Sequence, residues 1–140
     1  MFSFHVRADE NGEFVRMLNF YRHSGGLARK QEVVSRFEAQ GGPDAATLDQ
    51  WIDQREVICF DWKDQAWLPW FQFNRFNLAP HPQLRPVFAE LNPAFDAWEM
   101  GSWFVLPNAW LAGRIPVDTL LSDLPAVLHA ARADRFIANG

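Results

Sequence analysis

Four histidines, one cysteine and a pair of aspartates are the side chains of this chain best suited to catalysis or metal binding. The histidines lie far apart in the sequence: His5, His23, His81 and His129. They form no His-x-x-x-His pair, and no Cys-x-x-Cys accompanies them, so we predict no metal site. Asp61 and Asp64 flank a predicted turn, where solvated carboxylates are commoner than an acid–base pair. Catalysis would require these aspartates to converge with His81.

Cys59 and the glycines carry no catalytic signature. Cys59 lies in a short apolar run, which is typical of an inert buried thiol rather than a nucleophile. The glycines form no dinucleotide-binding or Walker motif, and no Gly-x-Ser-x-Gly is present. We therefore predict no catalytic residue, no cofactor and no enzymatic activity.

The composition predicts one aromatic-rich core. The 140 residues are 49% hydrophobic and 15% aromatic, with seven Trp and thirteen Phe, which argues against disorder. Thirteen basic against seventeen acidic residues give a net charge of -4, so no global basic field is available to hold a phosphate backbone. Because one cysteine cannot form an internal disulfide and no apolar run has membrane-spanning length, we expect a soluble cytoplasmic protein.

The elements that must position these side chains begin with three predicted helices. Apolar spacing places the first in residues 12–24 and the second in residues 27–40, and a glycine pair ends each of them. The third begins near Asp44, whose carboxylate suits the positive end of a helix dipole. Residues 1–6 alternate like a strand, which leaves a short edge strand and a frayed end both open.

This N-terminal unit, residues 1–54, has the length of a helix-turn-helix. Residues 32–37 would be its first motif helix and residues 45–54 its recognition helix. Asp49 and Asp53 on the second of these helices would oppose DNA phosphates if they share its outer face. Weak DNA binding and loss of DNA binding both stay open. The candidate DNA-binding residues are Arg29, Lys30, Gln50 and Arg55.

Residues 55–76 are predicted to form a β-hairpin. A β-forming run at residues 57–60 is followed by a Lys-Asp turn and a second aromatic arm over residues 65–73. Pro69 lies inside the second arm and cannot donate to a ladder, so we expect that arm to be an edge, bulged or partly irregular.

Gln72 lies among aromatic residues of the second arm. Because both ends of its amide need partners, we expect it to bind a backbone group inside the fold. The rings beside it are predicted to pack in the core rather than stack on bases, since Arg75 is the only nearby cation in this arm. These rings are Trp67, Trp70, Phe71 and Phe73.

Residues 77–140 are predicted to be mostly helical. The predicted helices cover residues 82–91, 95–105 and 122 or 123 to about 136, with short helical turns after Pro107 and Pro116. The expected fold class is therefore mainly α, with an N-terminal three-helix unit, a β-hairpin and a C-terminal helical unit.

An ordered series of residues between positions 55 and 121 carries a family resemblance. The series is Pro69, Phe71, Gln72, Phe73, Trp103, Pro107, Asn108, Leu111, Gly113 and Pro116. It resembles the antitoxin family of the Xre, MbcA and ParS type, in which a strand and turn precede a helical domain with a Trp, a Pro-Asn, a Leu-x-Gly and a following Pro. Members of that family neutralise RES-domain toxins, which consume NAD or transfer ADP-ribose from it, and many bind their own promoter.

The resemblance implies a type II antitoxin that binds a RES-domain toxin and closes its NAD site. It also implies promoter DNA as a further partner, and an assembly with a second copy or with the toxin. The C-terminal tail after about residue 136 is the expected toxin contact, although an ordinary frayed terminus is the alternative. A DNA-binding regulator or adaptor without a toxin is the alternative function. The candidate toxin-binding residues are Arg132, Arg135, Ile137, Asn139 and Gly140.

Overall fold

Seven α-helices and a three-stranded antiparallel sheet account for most of residues 2–139, the part of the chain that this computed structural model describes. Side chains are described from residue 11 onward. The predicted mainly helical class is confirmed. The helices are α1 (Phe2–Tyr21), α2 (Lys30–Ala39), α3 (Ala45–Asp53), α4 (Leu84–Leu91), α5 (Ala97–Val105), α6 (Pro116–Thr119) and α7 (Leu124–Asn139). The strands are β1 (Leu27–Arg29), β2 (Phe60–Trp62) and β3 (Gln65–Pro69). Single 3-10 turns cover Arg22–Ser24, Trp70–Gln72 and Ala109–Leu111.

The sheet has the strand order β1-β3-β2. Lys63 and Asp64, both with positive φ, join β2 to β3. One expectation was wrong here and another holds in part. The first residues of the predicted second helix form β1 instead, because they pair with β3. The second arm is the central strand rather than an edge, but it is partly irregular, since the strand ends at Pro69 and a 3-10 turn follows. Pro69 is tolerated as the last residue of the strand, where the missing donor matters least.

The N-terminal helix is longer than predicted. Residues 2–6, left open from sequence, belong to α1, while Met1 lies outside the described residues. The helix ends at Tyr21, before a 3-10 turn and Gly25, whose φ of 102° favours glycine. α3 starts as predicted, since the Asp44 carboxylate accepts a hydrogen bond of 2.8 Å from the backbone N–H of Thr47.

Two clusters of buried side chains hold these elements together. The larger one joins α1 to β2, α4, α5 and α7, and the Tyr21 hydroxyl inside it donates to the carbonyl of Gly101 at 2.6 Å. A Cβ at Gly101 would lie 3.1 Å from the Phe60 ring, so the absence of a side chain lets α5 approach β2 closely. The smaller cluster packs α2 and α3 against the sheet around Phe37 and Leu68. Each of the two clusters therefore contains residues from all three predicted units, 1–54, 55–76 and 77–140.

The last helix is longer than predicted and includes most of the predicted tail. α7 continues to Asn139 instead of ending near Phe136, so the expected thin, mobile segment is a further turn of helix. Val127, Ala130 and Ala131 form its buried face against α4 and the Ala109–Leu111 turn. Gly140 lies outside the described residues.

Candidate partner-binding site

Asp134 on α7 joins the residues that carry the family resemblance. Its Oδ2 accepts hydrogen bonds from Trp103 Nε1 at 2.8 Å and Asn108 Nδ2 at 2.9 Å, and its Oδ1 accepts one from Trp110 Nε1 at 3.0 Å. Hydrogen bonds to an ionised carboxylate are stronger than neutral ones, so this cluster fixes α7 against α5. The role of Asp134 could not be predicted from the sequence, because its donors lie 24 to 31 positions away.

The residues after Trp103 form a tight turn on that cluster. The Asn108 carbonyl accepts from the N–H groups of Leu111 and Gly113, and Gly113 has a φ of 84°. Pro116 then begins α6, as expected for a first-turn proline. Trp103 and Leu111 are buried, which confirms the prediction that helices around the Pro-Asn pair cover them. Most residues of this motif therefore stabilise the fold around the turn.

The end of α7 carries large apolar side chains in solvent. Phe136 is 78% exposed and Ile137 64% exposed, although α7 is anchored through its other face. Arg132 Nε lies 3.1 Å from Oε1 of Glu90, and Arg135 Nη1 lies 3.3 Å from its Oε2. Four of the five predicted toxin-binding residues thus lie on one helical segment, with Phe136 added to them. We call Arg132, Arg135, Phe136, Ile137 and Asn139 the α7-end surface.

The predicted DNA-binding residues are mostly engaged with the protein itself. Arg29 pairs with Glu32 at 3.3 Å. Lys30 pairs with Asp49 across α2 and α3, and this hydrogen bond raises the pKa of Lys30. Gln50 is exposed on α3.

Arg55 is the fourth predicted DNA-binding residue, and its guanidinium is used inside the fold. Its Nη1 donates to the carbonyl of Asn92 at 3.0 Å and its Nη2 to that of Phe95 at 2.7 Å. The half-buried side chain therefore ties the end of α3 to the α4–α5 connection.

A second cation lies beside the aromatic arm where only Arg75 was expected. The guanidinium carbon of Arg36, from α2, lies 4.5 Å from the centre of the Trp70 ring, a cation–π distance. Both arginines line one cavity of about 520 Å³ together with His81. Burial lowers the pKa of His81, which keeps its imidazole neutral near neutral pH. Because the two arginines are 39 positions apart in the sequence, this arrangement could not be predicted from it.

Asp61, Asp64 and His81 do not come together to form a catalytic group. Asp61 and Asp64 line one cavity, whereas His81 lines two others. Among the described residues, no three histidine, cysteine or carboxylate side chains are grouped to hold a metal ion. The helices of residues 2–139 also include none with both the length and the apolar character needed to cross a membrane. In comparisons with known proteins, the chain matches no family model, no curated protein and no solved structure.

Proposed function

We propose that this chain is the antitoxin of a type II toxin–antitoxin pair, which acts in the cytoplasm by binding a RES-domain toxin and covering its NAD site. The observation that carries this proposal is the exposure of Phe136 and Ile137 on an anchored helix. Adjacent exposed large apolar residues favour a protein-binding role. The class of the toxin comes from the resemblance to the Xre, MbcA and ParS type.

Anchoring of α7 makes its end suitable for binding. The hydrogen bonds to Asp134 and the pairing of Arg132 and Arg135 with Glu90 order the helix before any partner arrives. A preordered helix loses less conformational entropy on binding than a flexible tail does. Acidic groups at the rim of a nucleotide pocket would compete with Glu90 for the two arginines, which would add electrostatic complementarity.

The test is co-expression with a RES-domain toxin, which the proposal expects to be encoded by a neighbouring open reading frame. Phe136→Asp with Ile137→Asp places two charges on the α7-end surface, and we expect loss of co-purification and a fall in cellular NAD. Leu121→Asp is the matched control, since Leu121 is 67% exposed before the start of α7 and lies at the opposite end of that helix. Unchanged binding and NAD protection by the double variant would contradict the proposal.

DNA binding through a helix-turn-helix-like α2–α3 pair is the second candidate. The exposed amide of Gln50 on α3 favours it, because an amide can read an adenine edge. With Arg29 and Lys30 already paired, we expect binding to be weak and steeply salt-dependent. Arg29→Ala with Lys30→Ala should weaken binding to all sequences alike in fluorescence anisotropy. Nanomolar operator binding at physiological salt that ignores this change would contradict the expectation.

A further inference from the structure

One cavity of this acidic protein is lined by cations and has no carboxylate among the described residues around it. It lies between α2, the Trp70–Gln72 turn and the loop that follows, and its volume is about 520 Å³. Its polar lining includes Arg36, Gln40, Asn74, Arg75 and His81. Such a site attracts anions although the whole chain has a net charge of -4.

Its two arginines differ from the five arginines that form ion pairs in the described part of the chain. Arg29, Arg85, Arg114, Arg132 and Arg135 each lie within 4.0 Å of a carboxylate. Neither Arg36 nor Arg75 forms such an ion pair with a described residue. Both are exposed, and Arg36 is held in place by the ring of Trp70. Their guanidinium donors are therefore available to a ligand.

The loop next to this cavity presents an aromatic ring to solvent. Phe76 follows Arg75 and is 97% exposed. Its N–H donates to the side chain of Asn74 at 2.8 Å, and the N–H of Asn74 donates to the carbonyl of Ala79 at 2.7 Å. Leu78 is buried with a φ of 60°, so the loop is fixed to the core immediately after the exposed ring. The exposure of Phe76 thus belongs to an ordered loop.

We propose that this cavity binds a nucleoside phosphate, with the phosphate held by Arg36 and Arg75 and the base stacked on Phe76. Planar guanidinium groups match phosphate oxygens in geometry and charge. Phe76 follows Arg75 directly on the loop that borders the cavity, and exposed rings close to cations stack bases in proteins that bind single strands. The volume also falls in the range of small-ligand sites. Free nucleotides and single-stranded nucleic acids share this chemistry.

The test is calorimetric titration of the full chain with thymidine monophosphate, an eight-nucleotide oligothymidylate and inorganic phosphate. We expect Arg36→Gln and Arg75→Gln each to weaken nucleotide binding about tenfold, the effect of losing one charge-assisted contact. Phe76→Ala should weaken nucleotide binding by about five- to tenfold and leave phosphate binding unchanged, since only the base stacks on the ring. Oligonucleotide binding that is much tighter than mononucleotide binding identifies single-stranded nucleic acid as the source, and equal affinities identify the free nucleotide.

Two matched variants serve as controls. Arg16→Gln removes the same charge from an exposed arginine of α1 outside this cavity, and Phe20→Ala removes an exposed ring of the same helix. Both should bind nucleotides like the wild type. The proposal is overturned if the wild type binds no nucleotide at millimolar concentration, or if Arg36→Gln and Arg75→Gln keep full affinity. Inorganic phosphate binding as tightly as the nucleotides would also overturn it.

Discussion

The side-chain amide of Gln72 forms two hydrogen bonds with the backbone of Ile58 in the interior of the fold. Its Oε1 accepts from the N–H of Ile58 at 2.7 Å, and its Nε2 donates to the carbonyl of the same residue at 2.9 Å. The side chain is fully buried. The prediction that this amide binds a backbone group inside the fold is confirmed. Which group it binds could not be predicted, because the chain must first fold back over 14 positions.

Replacement of this amide should be costly. Gln72→Met fills a similar volume but leaves the N–H and carbonyl of Ile58 buried without partners. We expect a loss of about 2–4 kcal/mol in the free energy of unfolding, measured by urea denaturation. Gln50→Met, at an exposed position, is the control and should change little. Equal stabilities of the two variants would show that the paired hydrogen bonds contribute nothing net.

Cys59 should be unreactive in the folded chain. Burial raises the pKa of its thiol to about 11, and the carboxylate of Asp61 adds to the rise. At about pH 8 we therefore expect slow reaction with a disulfide reagent, and fast reaction once urea unfolds the chain. Because the thiolate forms more easily in the unfolded chain, stability should fall as the pH rises above the unfolded thiol's pKa of about 8.5. Equal rates in both states would contradict this.

At the level of elements, local signals predicted the ends of helices better than they predicted strands. Asp44, Gly25 and Pro116 act where sequence reasoning placed them, because caps, left-handed turns and first-turn prolines depend on neighbours along the chain. β1 was missed since three residues become a strand only by pairing with β3. The cluster around Asp134 and the Arg36–Trp70 contact escaped prediction for the same reason, as each joins distant positions.

Packing of α5 against α7 depends on Trp103. We expect Trp103→Ala to lower the free energy of unfolding by about 3–5 kcal/mol, through lost burial and the cavity left behind. Trp103→Phe keeps most of the ring and loses the hydrogen bond to Asp134, so its effect should be smaller. Trp110→Ala is the control, because Trp110 donates to the same carboxylate but is 48% exposed. A midpoint of urea unfolding unchanged in Trp103→Ala would refute the structural role.

In the whole molecule, α7 packs against the core along most of its length, whereas the side chains at its C-terminal end are exposed. The larger core includes α1, although α1 and α7 lie at opposite ends of the sequence, and α4 packs along α7. Asp134 and Glu90 hold the helix through side chains of its last two turns. Sequence patterns indicated the helix, but its exposed end follows from which neighbours cover it. The exposed apolar end of α7 is therefore a property of the assembled fold.

A chain that ends at Phe136 tests this arrangement. The truncation removes Ile137 and the residues after it, whose described members are exposed, so the free energy of unfolding should change by less than about 0.5 kcal/mol. Arg132, Arg135 and Phe136 remain, and if the proposed function holds, the truncated chain should still co-purify with a RES-domain toxin. It should nevertheless fail to protect NAD, because the last helical turn is the part that would enter the nucleotide site. NAD consumption by the toxin, measured with equal amounts of full-length and truncated chain, decides the point. Full protection by the truncated chain would place the neutralising contact elsewhere on the molecule.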